Sequence, residues 1–370
     1  MEKNKIVEKD MKYIADNAKE EFNKMSGKNL LITGGAGFLG HYLINSVLHW
    51  NDTNKNKKPI KIWVYDNFSR GIPEWITELK KREDIKIIDK DITKPITQTE
   101  ANFHYIIHAA SIASPHYYRI YPLETMHANV DGLRHLLEYA VRQKNNNKPI
   151  EGFLFFSSSE IYGDPTHDNI PTPETYRGNV SCIGPRACYD ESKRYGETLC
   201  INFAKQHRLP VKIARPFNNY GPGLNINDKR VIPDFARNIL SGEDIVMLSD
   251  GSPTRTFCYV SDAVVGYYKI LIKGRHGESY NIGVMEPEIS MLDLAKRLVD
   301  IGKRHFGYTG EIIYKDSKDE EYLTDSPNRR CPDISKAIEH IGYCPSVDID
   351  EGLLRTMYWY SENFTKKAKK

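Results

Sequence analysis

The chain has 370 residues, 40% of them hydrophobic, which is enough to bury a large core without staples. Lys and Arg total 52 against 49 Asp and Glu, and a net charge of +3 excludes a polyanion-binding surface spread over the whole molecule while leaving room for a local anion site. The six cysteines form no CxxC pair and no disulfide-like ladder, the charged leader has no signal-peptide core, and no run reaches about 18 apolar residues. These features predict reduced thiols in a cytoplasmic protein, with no metal site, no membrane contact and no nucleic-acid partner.

In the leader, Ile6, Met11, Ile14, Ala18, Phe22 and Met25 recur at helical intervals, and Ser26-Gly27 is a helix stop. Residues 1–27 therefore read as an accessory helix laid on the main domain or on a partner subunit, with a mobile tail as the alternative. From residue 28 the order becomes strand, glycine turn, helix: KNLLIT, GGAGFLG, HYLINSVLHW. Further strand-like runs follow at IKIWVYD, IKIIDKD, YIIHAAS, GFLFFSS and VKIARPF, most of them separated by helical stretches. This alternation predicts an α/β fold, a Rossmann-type doubly wound parallel sheet over residues 28–217. Segments around 255–285 return to that domain. Residues 218–362, rich in Gly, Pro and Asn loops with a helix near 230–240, predict a smaller C-terminal α/β domain for substrate. Residues 363–370 form a basic tail. The polar stretches NDTNKNKKP and RQKNNNKP read as surface loops.

Gly34, Gly37 and Gly40 fall in the order G-x-x-G-x-x-G between a strand and a helix, where glycine lets backbone approach a pyrophosphate at the helix N-terminus. Phe38 and Leu39 lie inside the same turn. Asp66, followed by Asn67, closes the second strand and is placed to accept hydrogen bonds from ribose hydroxyls while repelling a 2′-phosphate, which favours NAD over NADP. A tight turn and a strand-end Asp without a ligand would give the same letters. Asp91-Ile92 at the end of the third strand, and Ala109, Ala110 and Ser111 at the end of the fourth, leave room for a dinucleotide to cross the sheet edge, or serve packing alone. Tyr189 stands four residues before Lys193, so on a helix the two share one face. With Ser158 at the end of the fifth strand they make a Ser-Tyr-Lys set for oxidising an alcohol, the lysine cation and a nicotinamide charge lowering the tyrosine pKa. A surface Tyr-Lys pair is the bland alternative.

Taken in order, GGAGFLG, Asp66, HAAS, SSSEIYG, Y-x-x-x-K, RPFNNYGPG and RRCPD resemble the extended short-chain dehydrogenase/reductases that modify nucleotide sugars, over roughly residues 28–355. EIYGDP and GPRACYDESKR, supported by NDKRVIPDF and TRTFCYVSD, resemble the UDP-glucuronate decarboxylases in particular. The resemblance implies oxidation of the sugar at C4 by bound NAD. Related dTDP-glucose 4,6-dehydratases carry an Asp-Glu pair where this chain has Ser159-Glu160, so the acid needed for water loss is missing. A 4-keto glucuronosyl group is a β-keto acid and needs none. Ser158 and Tyr189 would then hydrogen-bond the oxyanion at C4, and Ser159 and Glu160 would handle the carboxylate and the proton that ends on C5, giving UDP-xylose.

By the same resemblance, Arg330 lies near the substrate's carboxylate and diphosphate, Tyr118 contacts the substrate, Asn218 and Arg255 meet the diphosphate with Arg330, and Arg186 and Arg230 join the substrate-binding set. The sugar-facing stretch departs from the decarboxylase pattern: AASIASPHYYRIYP stands where the family tends to ASPASPPNYMYNP. That departure keeps a 4-epimerase or a 4,6-dehydratase as alternatives, with a non-catalytic nucleotide-sensing protein as a remote one. The family also implies a homodimer through two long helices per subunit, one near 124–143 and one carrying Tyr189 and Lys193.

Overall fold

The computed structural model describes residues 3–97, 101–315 and 324–367. The side chains of the basic tail expected over residues 363–370 lie almost wholly outside the described residues. Seven strands form the large sheet: β1 (Asn29–Thr33), β2 (Lys61–Asp66), β3 (Ile85–Asp89), β4 (Tyr105–His108), β5 (Gly152–Phe156), β6 (Val211–Pro216) and β7 (Ser279–Ile282). They lie in the order β7-β6-β5-β4-β1-β2-β3, every pair parallel. A parallel sheet covered on both faces needs apolar residues on both, and β4 and β5 are buried at every position.

Successive side chains of a strand point to opposite faces. Leu30 and Ile32 accordingly enter the core shared with helices Phe38–Thr53 and Val260–Lys273, whereas Leu31 enters a second core with Pro122–Asn145 and Ala187–His207. Register aligns the C-terminal ends of the central strands along one edge, with Thr33 beside both Tyr65 and His108. That edge, where strand order reverses between β1 and β4, is where such folds hold ligands.

After β6 the chain crosses above this edge. Thr254–Arg255 forms the middle of a small three-stranded sheet, antiparallel to Ile289–Ser290 and parallel to Arg329–Arg330. Ile245–Met247 pairs with Ile312–Tyr314. Helices Val231–Ser241, Met291–Phe306 and Ile349–Lys367 pack around these pieces. Between them the chain returns to the large sheet through Val260–Lys273 and β7. Among the described residues no helix is long and apolar enough to cross a membrane.

The leader forms two helices, Lys3–Asn17 and Lys19–Met25. Its apolar stripe, Ile6, Met11, Ile14, Ala18, Phe22 and Met25, is buried throughout. Phe22 packs edge-on against Tyr268, with ring centroids 4.7 Å apart, and lies 5.6 Å from Trp50. Asp10 is fully buried. Its carboxylate accepts from Tyr42 (2.9 Å), Tyr259 (2.8 Å) and Arg355 (2.9 Å), three side chains from three separate segments.

Candidate active site

One cleft of about 1250 Å³ runs along the C-terminal strand edge beneath the smaller sheets. Every residue singled out for cofactor, catalysis or substrate lines it, from Gly34 at one end to Arg330 at the other.

At the cofactor end, the turn between β1 and its helix is fixed by close approach. Gly34 has φ +72°, and a Cβ there would stand 2.5 Å from Ala110 Cα, so this position excludes any side chain. Gly37 caps the helix that begins at Phe38, leaving the first N–H groups of that helix toward the cleft. Leu39, Gly40 and Asn67 line the same end. Asp66 ends β2 and accepts from Ala36 N and Phe68 N, both at 2.9 Å, so the carboxylate is held against the glycine turn. Burial raises its pKa against those two N–H groups. Asp91 and Ile92 fall just past the end of β3 at Asp89 rather than within it, and Ala109, Ala110 and Ser111 follow β4. The Ser111 hydroxyl is buried with no hydrogen-bond partner among the described residues. A glycine cradle at a helix start, a strand-end carboxylate and an unpartnered hydroxyl fit a dinucleotide.

At the catalytic centre, Ser158 lies beyond β5 and caps the short turn Ser159–Tyr162, its Oγ accepting from Glu160 N at 3.2 Å. Tyr189 and Lys193 sit one turn apart on the buried face of Ala187–His207. Lys193 Nζ donates to Phe156 O at 2.8 Å and lies 5.6 Å from the Tyr189 ring centroid. Burial pulls the lysine down to about 7. Burial also pushes the Tyr189 phenol up to about 12, with the hydrogen bond from Ser158 the first influence opposing it and Arg230 another. This differs from the lowered tyrosine expected from the lysine cation and a nicotinamide charge, because burial of the phenol itself outweighs the influences that favour its anion. Next to it, His108 bonds Thr33 Oγ1 at 2.8 Å, and burial, then Lys193, lowers it to about 3. Tyr118 stacks on Tyr189, centroids 5.0 Å apart and planes 11° apart, and its hydroxyl has no partner among the described residues.

At the far end lies a cluster of guanidinium groups. The two-residue strands pair Arg330 with Arg255 in register. Arg330 grips Glu160 with both nitrogens, Nη2 at 2.8 Å, and Arg186 binds the same carboxylate. Burial alone would raise Glu160, but Arg186 and Arg330 overcome it and hold the carboxyl well below its usual range. Arg255 donates instead to the carbonyl oxygens of Thr254, Asn328 and Pro327, and burial, then Arg330, lowers it to about 9. Asn218 adopts φ +38° and donates to Thr256 O at 2.8 Å. Arg230 is turned onto the buried carboxylate of Asp228.

Two features escaped the sequence reading. Asp190 is buried beside the arginine cluster, and burial, then Glu160, raises it to about 8. Across the cleft, the Arg70 guanidinium lies 4.7 Å from the Tyr117 ring centroid and 3.5 Å from Asp228 Oδ2, while Ser114 Oγ donates to Asp228 O at 2.8 Å. Arg70 follows Asp66 in the run NFSRG, a position close enough to the cofactor loop to have raised suspicion.

Residues 30–283 match the family model described as the NAD dependent epimerase/dehydratase family, and the chain belongs to that family. Its cofactor is accordingly NAD. The chain is 37% identical over 324 residues to UDP-glucuronic acid decarboxylase 3 of Arabidopsis thaliana, covering 88% of this chain and 86% of that one. It is 34% identical over 345 residues to UDP-glucuronic acid decarboxylase 1 of Xenopus tropicalis, covering 92% and 74%. Among solved structures, UDP-glucose 4-epimerase from Thermotoga maritima with UDP-glucose superposes with a TM-score of 0.76 at 25% identity, covering 91% of this chain and 99% of that one. An epimerase from Methanothermobacter thermautotrophicus gives a TM-score of 0.79 at 26% identity, covering 95% and 97%.

Proposed function

We propose that the protein converts UDP-glucuronate to UDP-xylose by oxidation at C4, loss of carbon dioxide and re-reduction. The observation that carries this reading is the arginine cluster facing the same cleft as Tyr189, because a carboxylate-bearing sugar is the substrate that needs both. The decarboxylase relatives support it.

NAD, when bound, supplies the hydride acceptor for C4 and later returns the hydride. Gly34, Gly37 and the N-terminus of the Phe38–Thr53 helix would hold its pyrophosphate and Asp66 its adenosine ribose, with Lys193 joining the cofactor-binding set. Tyr189 would accept the proton of the C4 hydroxyl as its phenolate, the form that a nicotinamide charge favours against the burial of the phenol, with Ser158 hydrogen-bonding the same oxygen. Once C4 is a ketone, the C5–carboxylate bond breaks, its electron pair collects at the C4 oxygen, and Ser158 and Tyr189 stabilise that charge with hydrogen bonds. Ser159 and Glu160 attend the carboxylate and the proton that ends on C5. Arg255 and Asn218 take the diphosphate, since a planar guanidinium matches phosphate oxygens in pairs, and Arg330 stands between the diphosphate and the sugar carboxylate. Arg186, Arg230 and Tyr118 complete the substrate contacts.

The chain divides at about residue 217 into cofactor and substrate parts, with 255–285 returning to the first. A homodimer is proposed from the outer side of the helices Pro122–Asn145 and Ala187–His207, where Leu123, Met126 and Tyr195 are exposed. A cytoplasmic setting agrees with six unpaired cysteines.

Incubation of the purified protein with UDP-glucuronate and NAD, followed by mass spectrometry and proton NMR, tests the activity. Loss of the mass of carbon dioxide with a pentose spectrum is expected. An unchanged mass with an altered spectrum would assign a 4-epimerase instead.

A further inference from the structure

The Glu160 carboxylate lies where a substrate carboxylate would be expected to bind. It lines the cleft with Ser159 and Tyr189, it receives the two-pronged grip of Arg330, and it shares Arg186. All three side chains are nearly buried, so the pairing is little screened by water.

Charge balance shows what an arriving substrate does to this pairing. Three guanidinium groups, Arg186, Arg255 and Arg330, converge at this end of the cleft, and two of them, Arg186 and Arg330, hold the Glu160 carboxylate. Asp190, raised to about 8, adds little negative charge at neutral pH. Among the described residues Arg255 donates only to carbonyl oxygens, with Asp164 acting on it without a hydrogen bond, so no carboxylate in this set is bonded to it. A sugar nucleotide with a diphosphate and a sugar carboxylate brings one negative charge for each of the three guanidiniums. With that substrate in place a fourth anion is superfluous and is repelled.

We propose that Glu160 is a resident substitute for the substrate's carboxylate: a uronosyl group takes the Arg330 fork, and Glu160 is released from it into the cleft beside Ser159. The inference rests on the decarboxylase reading above. It makes Glu160 a specificity-determining residue, because a neutral hexose on the same nucleotide has nothing to offer Arg330 and leaves Glu160 in place. Selectivity then comes from the exchange of one ion pair for another rather than from a vacant pocket.

The test measures binding of UDP-glucuronate and of UDP-glucose to the NAD-loaded protein by calorimetry in the non-reacting Tyr189→Phe background, with Glu160 and with Glu160→Gln. Glutamine keeps the shape and removes the competing charge, so the preference for UDP-glucuronate over UDP-glucose should rise about ten-fold. A preference that falls or stays level overturns the exchange, since a Glu160 that merely steadies the arginines would lower it when neutralised. Should Glu160→Gln fold poorly, the structure of Tyr189→Phe with NAD and UDP-glucuronate decides independently. Arg330 should grip the sugar carboxylate with Glu160 out of hydrogen-bonding range, and a Glu160–Arg330 pair still intact overturns the proposal. If wild type converts UDP-glucuronate but the preference does not move, only the exchange fails. If wild type does not convert it and Tyr189→Phe does not prefer it to UDP-glucose, the decarboxylase reading falls and the exchange with it.

Discussion

Tyr118 lies flat against Tyr189, centroids 5.0 Å apart and planes inclined by 11°, so the ring that carries the reactive phenol is positioned by a neighbour on the short helix Pro115–Ile120, in the segment that departs from the decarboxylase pattern. The Tyr118 hydroxyl is buried in the cleft wall without a partner among the described residues. Such an atom costs stability unless a ligand satisfies it.

Removal of that hydroxyl therefore separates its two duties. Tyr118→Phe keeps the stack and should raise KM for UDP-glucuronate several-fold, with kcat nearly unchanged and the melting temperature of the unliganded protein slightly higher. Tyr118→Ala removes the stack as well, and kcat should fall by about ten- to a hundred-fold as Tyr189 loses its support. Steady-state kinetics of both variants check this, and equal effects of the two on kcat would contradict the division.

The second prediction concerns Lys193, whose amine is buried and lowered to about 7. A base with a folded-state pKa below its unfolded value contributes stability above the unfolded pKa, near 10.5, and loses it as pH falls toward the folded one. At pH 7 the unliganded protein thus carries a penalty on the order of 4 kcal/mol, offset by about 1 kcal/mol from the hydrogen bond to Phe156 O. Lys193→Met should abolish turnover yet raise Tm by a few degrees at pH 7, and the gain should shrink steadily toward pH 9.5. Melting curves across that range, without added NAD, measure it. A variant less stable than wild type at pH 7 would contradict the cost assigned to the buried amine.

The direction of the Tyr189 shift illustrates where sequence stops being informative. The Tyr189–Lys193 spacing and the strand-end residues were legible because helix and strand periods are local properties. So was the glycine turn, where Gly34 is required by Ala110 of the neighbouring strand end. Burial is a property of the assembled molecule, and it reverses the tyrosine shift that spacing alone suggests. The grip of Arg330 on Glu160 joins residues 170 positions apart through a two-residue strand, too short to leave any periodic trace. The leader's apolar stripe was readable, but not that Asp10 within it would meet Tyr42, Tyr259 and Arg355.

That buried meeting point yields the third prediction. Asp10 and Arg355 tie the leader to the Ile349–Lys367 helix, while Tyr42 and Tyr259 use the same carboxylate as acceptor. Asp10→Ala strands both phenols and leaves Arg355 with Glu351 alone, a loss of about 3 kcal/mol. Asp10→Leu with Arg355→Met removes both charges and should recover much of that, as apolar replacements of buried pairs often do. Urea denaturation of the two variants gives the comparison, and a double variant no more stable than Asp10→Ala would count against charge burial as the source of the loss.

The last prediction separates stability from function at Arg255. Its half-buried side chain lies beside Arg330, in register with it, and is lowered to about 9 by burial and by that neighbour. Among the described residues it bonds only backbone carbonyl oxygens, which do not require its charge. A diphosphate does: two negative charges placed between Arg255 and Arg330 would relieve the repulsion and gain paired hydrogen bonds. Arg255→Met should therefore leave the melting temperature level or slightly higher, while UDP binding weakens by about ten- to a hundred-fold. Free glucuronate, which lacks the diphosphate, should compete with UDP-glucuronate equally well in both proteins. Calorimetric titration with UDP and inhibition by glucuronate supply the two readings. A variant that binds UDP as tightly as wild type would move the diphosphate away from Arg255 and leave Arg330, Arg186 and Asn218 to hold it.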